Sequence, residues 1–270
     1  MNVLSPDIPD KIDSLFAGLV DAEKSGWFQE KTNEFFRGFP VSPEDTVLDV
    51  GCGKGDATVF CAKCGANVIY ADIEADEVAR VSERLAQMES IGETRGLVGD
   101  NNPLKLDDQE VSRIMCIEVL EHVDDPRQVM AEMVRVGKPG ALYLLTVPGT
   151  ESEYIQKKFA PEWYFQKPNH IRIFSRQDFE ELVKDSGLVI QSYDTTGFFW
   201  VTWMSIYWAT MAASGEEASG DDAVAHKKIE PPFDESLNRW AALWVKLILT
   251  PEGLAFKREM DKLLPRNQII

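Results

Sequence analysis

An α/β fold, with a mostly parallel sheet covered by helices on both faces, is predicted by two features of the sequence. Short β-branched apolar runs alternate with helical patterns between residues 46 and 148, and the first run opens into a glycine-rich turn. A chain of 270 residues with 44% hydrophobic content can bury a core of that size.

Residues 10 to 38 come first. Ile12, Leu15, Phe16 and Leu19, then Trp27, Phe28, Phe35 and Phe36, fall at helical intervals, so one or two helices are expected in an N-terminal cap over 1–40. The main domain is expected over 41–200. Its strands read as TVLDV (46–50), NVIYADI (67–73), GLVGD (96–100), IMCIEVL (114–120) and ALYLLTVP (141–148), with helices at 55–64, 75–89 and 126–136 between them. Residues 149–170, GTESEYIQKKFAPEWYFQKPNH, form a polar and aromatic insertion ahead of a helix at 175–186, and long connections of this kind are usually functional or disordered. LVIQSYD (188–194) reads as another strand. A C-terminal aromatic-rich helical extension is expected over 201–270. It holds helices near 236–249 and 251–264 and a flexible acidic loop, 214–235, that carries Pro231-Pro232 and an idle His226.

The charge narrows the function. Asp and Glu outnumber Lys and Arg by 45 to 28, and the net charge of −17 repels phosphate backbones and anionic membrane surfaces alike. Nucleic acid is therefore disfavoured as a partner. The four cysteines and the absence of a basic segment followed by an apolar one at the start make a reducing, cytoplasmic location the expectation. Cys61 and Cys64 form a lone CxxC on one helix face, with no second pair to complete a zinc site.

VLDVGCGKGD (47–56) runs from an apolar strand into Gly51, Gly53 and Gly55, where glycine lets the backbone turn sharply and approach a ligand closely. Asp49 stands where a dinucleotide fold keeps an apolar residue, and its carboxylate can accept from an ammonium group. Asp72 ends the second strand, where a carboxylate can hold both hydroxyls of a ribose. Asp100 ends the third and can accept from an adenine amine. Ammonium, ribose and adenine sites at three successive strand ends describe S-adenosylmethionine.

These stretches, with YADIEADEVARVSERL, IEVLEHVDDP and RVGKPGALYLLTVP, resemble the class I S-adenosylmethionine-dependent methyltransferases from about Val47 to Asp194. The resemblance implies a Rossmann-like, seven-stranded sheet with one antiparallel strand. It also implies that Gly51, Cys52 and Gly53 wrap the methionine part, that Asp72 and Ile73 take the ribose side, that Asp100 and Asn101 border the adenine, and that Glu118 lines the cofactor site.

Within IEVLEHVDDP, Glu118 is expected at the carboxyl end of the fourth strand, where open α/β sheets bind ligands, with Glu121 and His122 starting the next helix. His170 is the candidate that returns to the same edge. ExxEH with a distant histidine resembles the metal-binding set of small-RNA ribose methyltransferases and, less closely, of ubiquinone-pathway O-methyltransferases. That resemblance implies Glu118, Glu121, His122 and His170 as ligands for Mg²⁺, Mn²⁺, Fe²⁺ or Zn²⁺. The residues leave two other roles open: His122 or His170 as a metal-free base, and pure scaffolding in which Glu121 caps helical N–H groups.

Phe159, Trp163, Tyr164, Phe165, Phe198, Phe199, Trp200, Trp203, Tyr207 and Trp208 suggest an apolar or sugar-stacking acceptor pocket, a core helix, or a homodimer interface. Contact with a membrane surface is compatible with these residues, whereas a span is disfavoured by the interrupting Thr, Ser and Gly and the missing basic flank. The expectation is an S-adenosylmethionine-dependent methyltransferase acting on the hydroxyl of a small apolar or carbohydrate-like molecule. An RNA ribose methyltransferase and a non-catalytic cofactor-binding partner subunit are the alternatives.

Overall fold

A computed structural model of the chain describes residues 8–89, 91–100, 103–214 and 233–270. It divides into two compact units. The sheet unit comprises Trp27–Val147, Phe174–Asp194 and Ile269–Ile270; the helical unit comprises Met1–Gly26, Pro148–Ile173 and Thr195–Gln268.

In chain order the strands of the main sheet are β4 (Thr46–Val50), β5 (Asn67–Asp72), β6 (Thr94–Val98), β7 (Val111–Ile117), β8 (Gly137–Pro148), β9 (Asp194–Thr196) and β10 (Asn267–Ile269). Their spatial order is β6-β5-β4-β7-β8-β10-β9. β4 runs parallel to both β5 and β7, and β5–β6 and β7–β8 are parallel too. The chain thus winds outward from β4 in one direction through β6 and then from β7 in the other, which makes the β4/β7 boundary the switch point where such sheets bind ligands. Leu145 and Ile270 exchange both N–H···O bonds, at 2.8 and 2.9 Å, the reciprocal pattern of an antiparallel pair.

Helices α2 (Asp56–Lys63), α3 (Ala75–Ala86), α4 (Pro126–Val136) and α6 (Arg176–Asp185) cover this sheet. Apolar side chains line the core: Leu48, Ile114, Met130, Met133, Leu145 and Phe179 are wholly buried, each worth roughly 1.5–3 kcal/mol of burial. Asp125 starts α4 by accepting from the N–H groups of Arg127 and Gln128, with Pro126 in the first turn, and Ser175 and Asp178 form a capping box on α6.

The helical unit contains α1 (Ser14–Ser25), α5 (Thr150–Gln156), a 3₁₀ turn (Glu162–Phe165), α7 (Phe198–Ser214), α8 (Phe233–Ile248) and α9 (Pro251–Leu263). Phe199, Trp203, Tyr207, Trp208, Leu237 and Trp244 build its core. Lys257 is wholly buried between Asp21 at 3.0 Å and Asp261 at 2.7 Å, and Trp244 Nε1 donates to Asp21 at 2.8 Å. Burial pushes the Asp21 carboxyl up, against the pull of Lys257.

The structure corrects several sequence expectations. Only the first N-terminal segment is helical, and its face is inverted: Ala17, Gly18, Asp21 and Ser25 point inward while Leu15, Phe16 and Leu19 are exposed. A Cβ on Gly18 would come within 2.2 Å of the Trp200 ring, so close approach at a glycine decides which side is buried. Trp27–Gln29, Glu34–Phe36 and Phe39–Pro40 form a small antiparallel sheet, β1-β2-β3, in place of a second helix. Positive φ at Phe28 and Asn33 turns the backbone where helical spacing would have carried it on.

Glu121 and His122 lie in a turn and do not start the helix, which runs from Pro126 to Val136 as its periodicity predicts, with Asp125 as its N-cap. Residues 149–170 are not a plain loop, since α5 and the 3₁₀ turn occupy much of them. The strand expected at 188–194 is confined to 194–196. Asn101, His226 and most of the 214–235 loop lie outside the described residues. Among those described, no helix is long and apolar enough to cross a membrane.

Candidate cofactor and catalytic site

The loop after β4 is built for a close approach. The N–H groups of Gly51 and Cys52 both donate to Ala71 O, at 2.8 and 3.0 Å, which ties the loop to the end of β5. Gly51 has φ 70°, and a Cβ there would lie 2.4 Å from Val119 Cγ2, so the loop packs directly on the residue after Glu118. At Gly53, φ is 47° and a Cβ would meet nothing within 4 Å, leaving open space above the backbone.

Asp72 is held at both oxygens. Gly53 N–H donates to Oδ2 at 2.9 Å and Glu74 N–H to Oδ1 at 3.0 Å, an arrangement that fixes the carboxylate at the mouth of the loop. Ile73, next to it, is 64% exposed and offers an apolar surface at the strand end. Asp100 is exposed two residues beyond β6.

Asp49 is buried, and the hydroxyl of Thr58, in the first turns of α2, donates to it at 2.6 Å. Burial pushes its carboxyl up to about 6, against the pull of Thr58. A cationic ligand group would relieve that cost. The Cys52 thiol is pushed up too, first by burial and then by the Asp49 and Asp72 carboxylates, which removes it as a nucleophile at neutral pH.

Glu118 follows the last residue of β7 with φ 55°, the left-handed region that a non-glycine residue occupies at a cost. Thr146 of β8 holds it there. The Glu118 N–H donates to Thr146 Oγ1 at 3.1 Å, and the Thr146 hydroxyl donates to Glu118 Oε1 at 3.0 Å. In the following turn Glu121 is wholly buried and one of its oxygens lies 3.6 Å from Nε2 of the partly exposed His122. Glu121 and His122 thus lie together in the sheet unit, three residues beyond Glu118, on the connection that packs against the glycine loop.

His170 belongs to the helical unit. Its ring is buried, Nδ1 lies 2.8 Å from Glu153 Oε2, and the Tyr164 ring packs on it with centroids 4.6 Å apart. Most of the aromatic residues noted in the sequence are absorbed by that unit's core, including the stacked pair Trp203 and Tyr207 at 5.5 Å. Thr58, Thr146 and Glu153 are the side chains that sequence reasoning missed. Thr58 could have been found as the hydroxyl in the first helical turn after the glycine loop; nothing in the local sequence marks the other two.

A family model described as a methyltransferase domain matches residues 20–193, well over half of the chain. The chain belongs to that methyltransferase family. It is 26% identical over 167 residues to a ubiquinone biosynthesis O-methyltransferase of Hydrogenovibrio crunogenus, a match covering 58% of this chain and 68% of that one. It is 27% identical over 236 residues to a probable S-adenosylmethionine-dependent methyltransferase of Mycolicibacterium smegmatis, covering 87% and 84%.

Solved structures agree on the fold of this methyltransferase. A SAM-dependent methyltransferase from Aquifex aeolicus superposes with a TM-score of 0.51 at 19% identity, covering 69% of this chain and 94% of that one. Geranyl diphosphate C-methyltransferase from Streptomyces coelicolor gives 0.52 at 18% identity, covering 75% and 72%. The protein is an S-adenosylmethionine-dependent methyltransferase with the Rossmann-like, seven-stranded sheet of that class.

Proposed function

We propose that this methyltransferase transfers the methyl group of S-adenosylmethionine to a hydroxyl oxygen of a small apolar or carbohydrate-like molecule. The observation that carries the reading is the connection after β7, where Glu118, Glu121 and His122 follow a strand end at the switch point and Val119 packs on Gly51 of the cofactor loop. Several relatives are named as O-methyltransferases, which supports oxygen as the acceptor atom. On this reading Asp49 faces the cofactor's ammonium group, Gly51, Cys52 and Gly53 wrap its methionine part, Asp72 and Ile73 take the ribose side, Asp100 and Asn101 border the adenine, and Glu118 lines the site.

The acceptor oxygen attacks the sulfonium methyl in line. The new C–O bond forms as the C–S bond breaks, S-adenosylhomocysteine leaves, and the hydroxyl proton passes to an imidazole, with His122 and His170 as the candidate bases. Positioning supplies most of the rate. The two carboxylates and the imidazole near β7 also suit a divalent cation by their donor chemistry, and the sequence pattern adds His170 as a fourth ligand. Such an ion would lower the acceptor's pKa.

Calorimetry with S-adenosylmethionine, followed by transfer of a labelled methyl group to a panel of phenols and sugars, tests the reading. Binding of the cofactor with transfer to carbon or nitrogen acceptors alone would overturn the choice of oxygen. Elemental analysis of the wild type, Glu121→Gln and His122→Ala tests the metal, and absence of stoichiometric metal with chelator-insensitive transfer would leave imidazole base catalysis. The net charge of −17 argues against an RNA acceptor.

A further inference from the structure

Glu153 lies on α5 in the helical unit, wholly buried, with Oε2 at 2.8 Å from His170 Nδ1. Its other oxygen, Oε1, has no hydrogen-bond partner among the described residues, and His170 is its one ion-pair partner among them. A buried carboxylate with so few bonds is costly, and the bond to His170 is what offsets that cost. The fold therefore keeps the carboxylate for what it does to His170. The imidazole is fixed from two further sides: its backbone N–H donates to Tyr164 O at 3.1 Å, and the Tyr164 ring covers one face.

We propose that Glu153 is a positioning residue for His170, setting its tautomer. A carboxylate can only accept, so Nδ1 carries the proton and the lone pair resides on Nε2, the atom that would take a proton or a ligand. The inference rests on the proposed role of His170 toward the acceptor and extends it to a second residue. It parallels the way buried carboxylates orient histidines in other active sites.

The chain has three histidines, so nitrogen-15 spectra of histidine-labelled full-length protein are readable, and the His170 signals are those lost in His170→Gln. In the wild type at pH 8 the Nδ1–H form should exceed the Nε2–H form about tenfold or more, as expected for a charge-assisted hydrogen bond. Glu153→Gln, whose amide can donate as well as accept, should bring the two forms within about threefold of one another. Glu153→Leu, which offers no polar atom, should do the same and serves if the glutamine variant fails to fold. Cofactor affinity measured by calorimetry should stay within about twofold in both variants, because no cofactor residue is touched. An unchanged tautomer ratio in the variants, or a wild type already in the Nε2–H form, would overturn the proposal. Full methyl transfer by His170→Gln would instead sink the catalytic role of His170 while leaving the tautomer result standing.

Discussion

Replacing Asp49 with asparagine should stabilise the empty protein and cripple cofactor binding at once. The Asp49 carboxyl is raised from the ordinary 3.8 to about 6, chiefly by burial. At about 1.4 kcal/mol per pH unit, holding it ionised in the folded state costs about 3 kcal/mol above pH 7. The sign follows from the raised value: the folded protein binds this proton more tightly than the unfolded chain, so stability from this group is full below about pH 4 and is lost as pH rises through about 6.

About half of that cost is already present at pH 5, so the advantage of Asp49→Asn over the wild type should grow by about 1.4 kcal/mol between pH 5 and pH 8. Urea unfolding at both pH values measures it, and taking the difference between them cancels any constant effect of the lost Thr58 bond. Calorimetry with S-adenosylmethionine supplies the second readout. Wild-type affinity should strengthen up to tenfold per pH unit below about 6 and then level off, while the variant binds weakly throughout. A stability difference that does not change with pH, or a variant that binds cofactor as tightly as the wild type, would refute the reasoning.

Gly51→Ala combines a left-handed backbone with a Cβ 2.4 Å from Val119, so it should cost about 1–3 kcal/mol in urea unfolding and abolish cofactor binding by calorimetry. Thr146→Val removes the two hydrogen bonds that the Thr146 hydroxyl makes with Glu118, and a loss of about 1–2 kcal/mol should accompany roughly tenfold weaker cofactor binding. Lys257→Met strands Asp21 and Asp261 in the helical core, and a loss of about 3–5 kcal/mol is expected by chemical denaturation. Adding Asp21→Asn and Asp261→Asn to that variant should recover most of the loss, and a single variant as stable as the wild type would show the triad to be dispensable.

The central sheet was legible because short apolar strands alternate with helices from Thr46 to Pro148, the order that builds a parallel sheet. Asp49, Gly51 and Asp72 were legible for the same reason, since a strand end and the turn after it fix their place. The helix at 126–136 was legible, but Glu121 and His122 were wrongly set at its start although the signal against that was present: Asp125 before Pro126 is an N-cap followed by a first-turn proline. Trp27 and Phe36 were misread because their spacing is compatible with a helix, while the positive φ at Phe28 and Asn33 that turns the chain between them leaves no periodic trace. Glu153 was out of reach altogether. In TESEYIQ it looks like one more surface acid, and only the packing around α5 makes it the partner of His170.

The place of β10 between β8 and β9 sets an order on synthesis. Residues 194–196 leave the ribosome long before 267–269, so β9 has no ladder neighbour on its β10 side while α7, α8 and α9 are still being made. Until β10 arrives, β8 presents an open edge with Leu144, Leu145 and Val147 along it, the kind of exposed strand that recruits other chains. The nascent protein is thus most prone to mispairing while residues 197–269 are translated, and synonymous codon changes that slow that stretch should lower soluble yield without altering a single side chain.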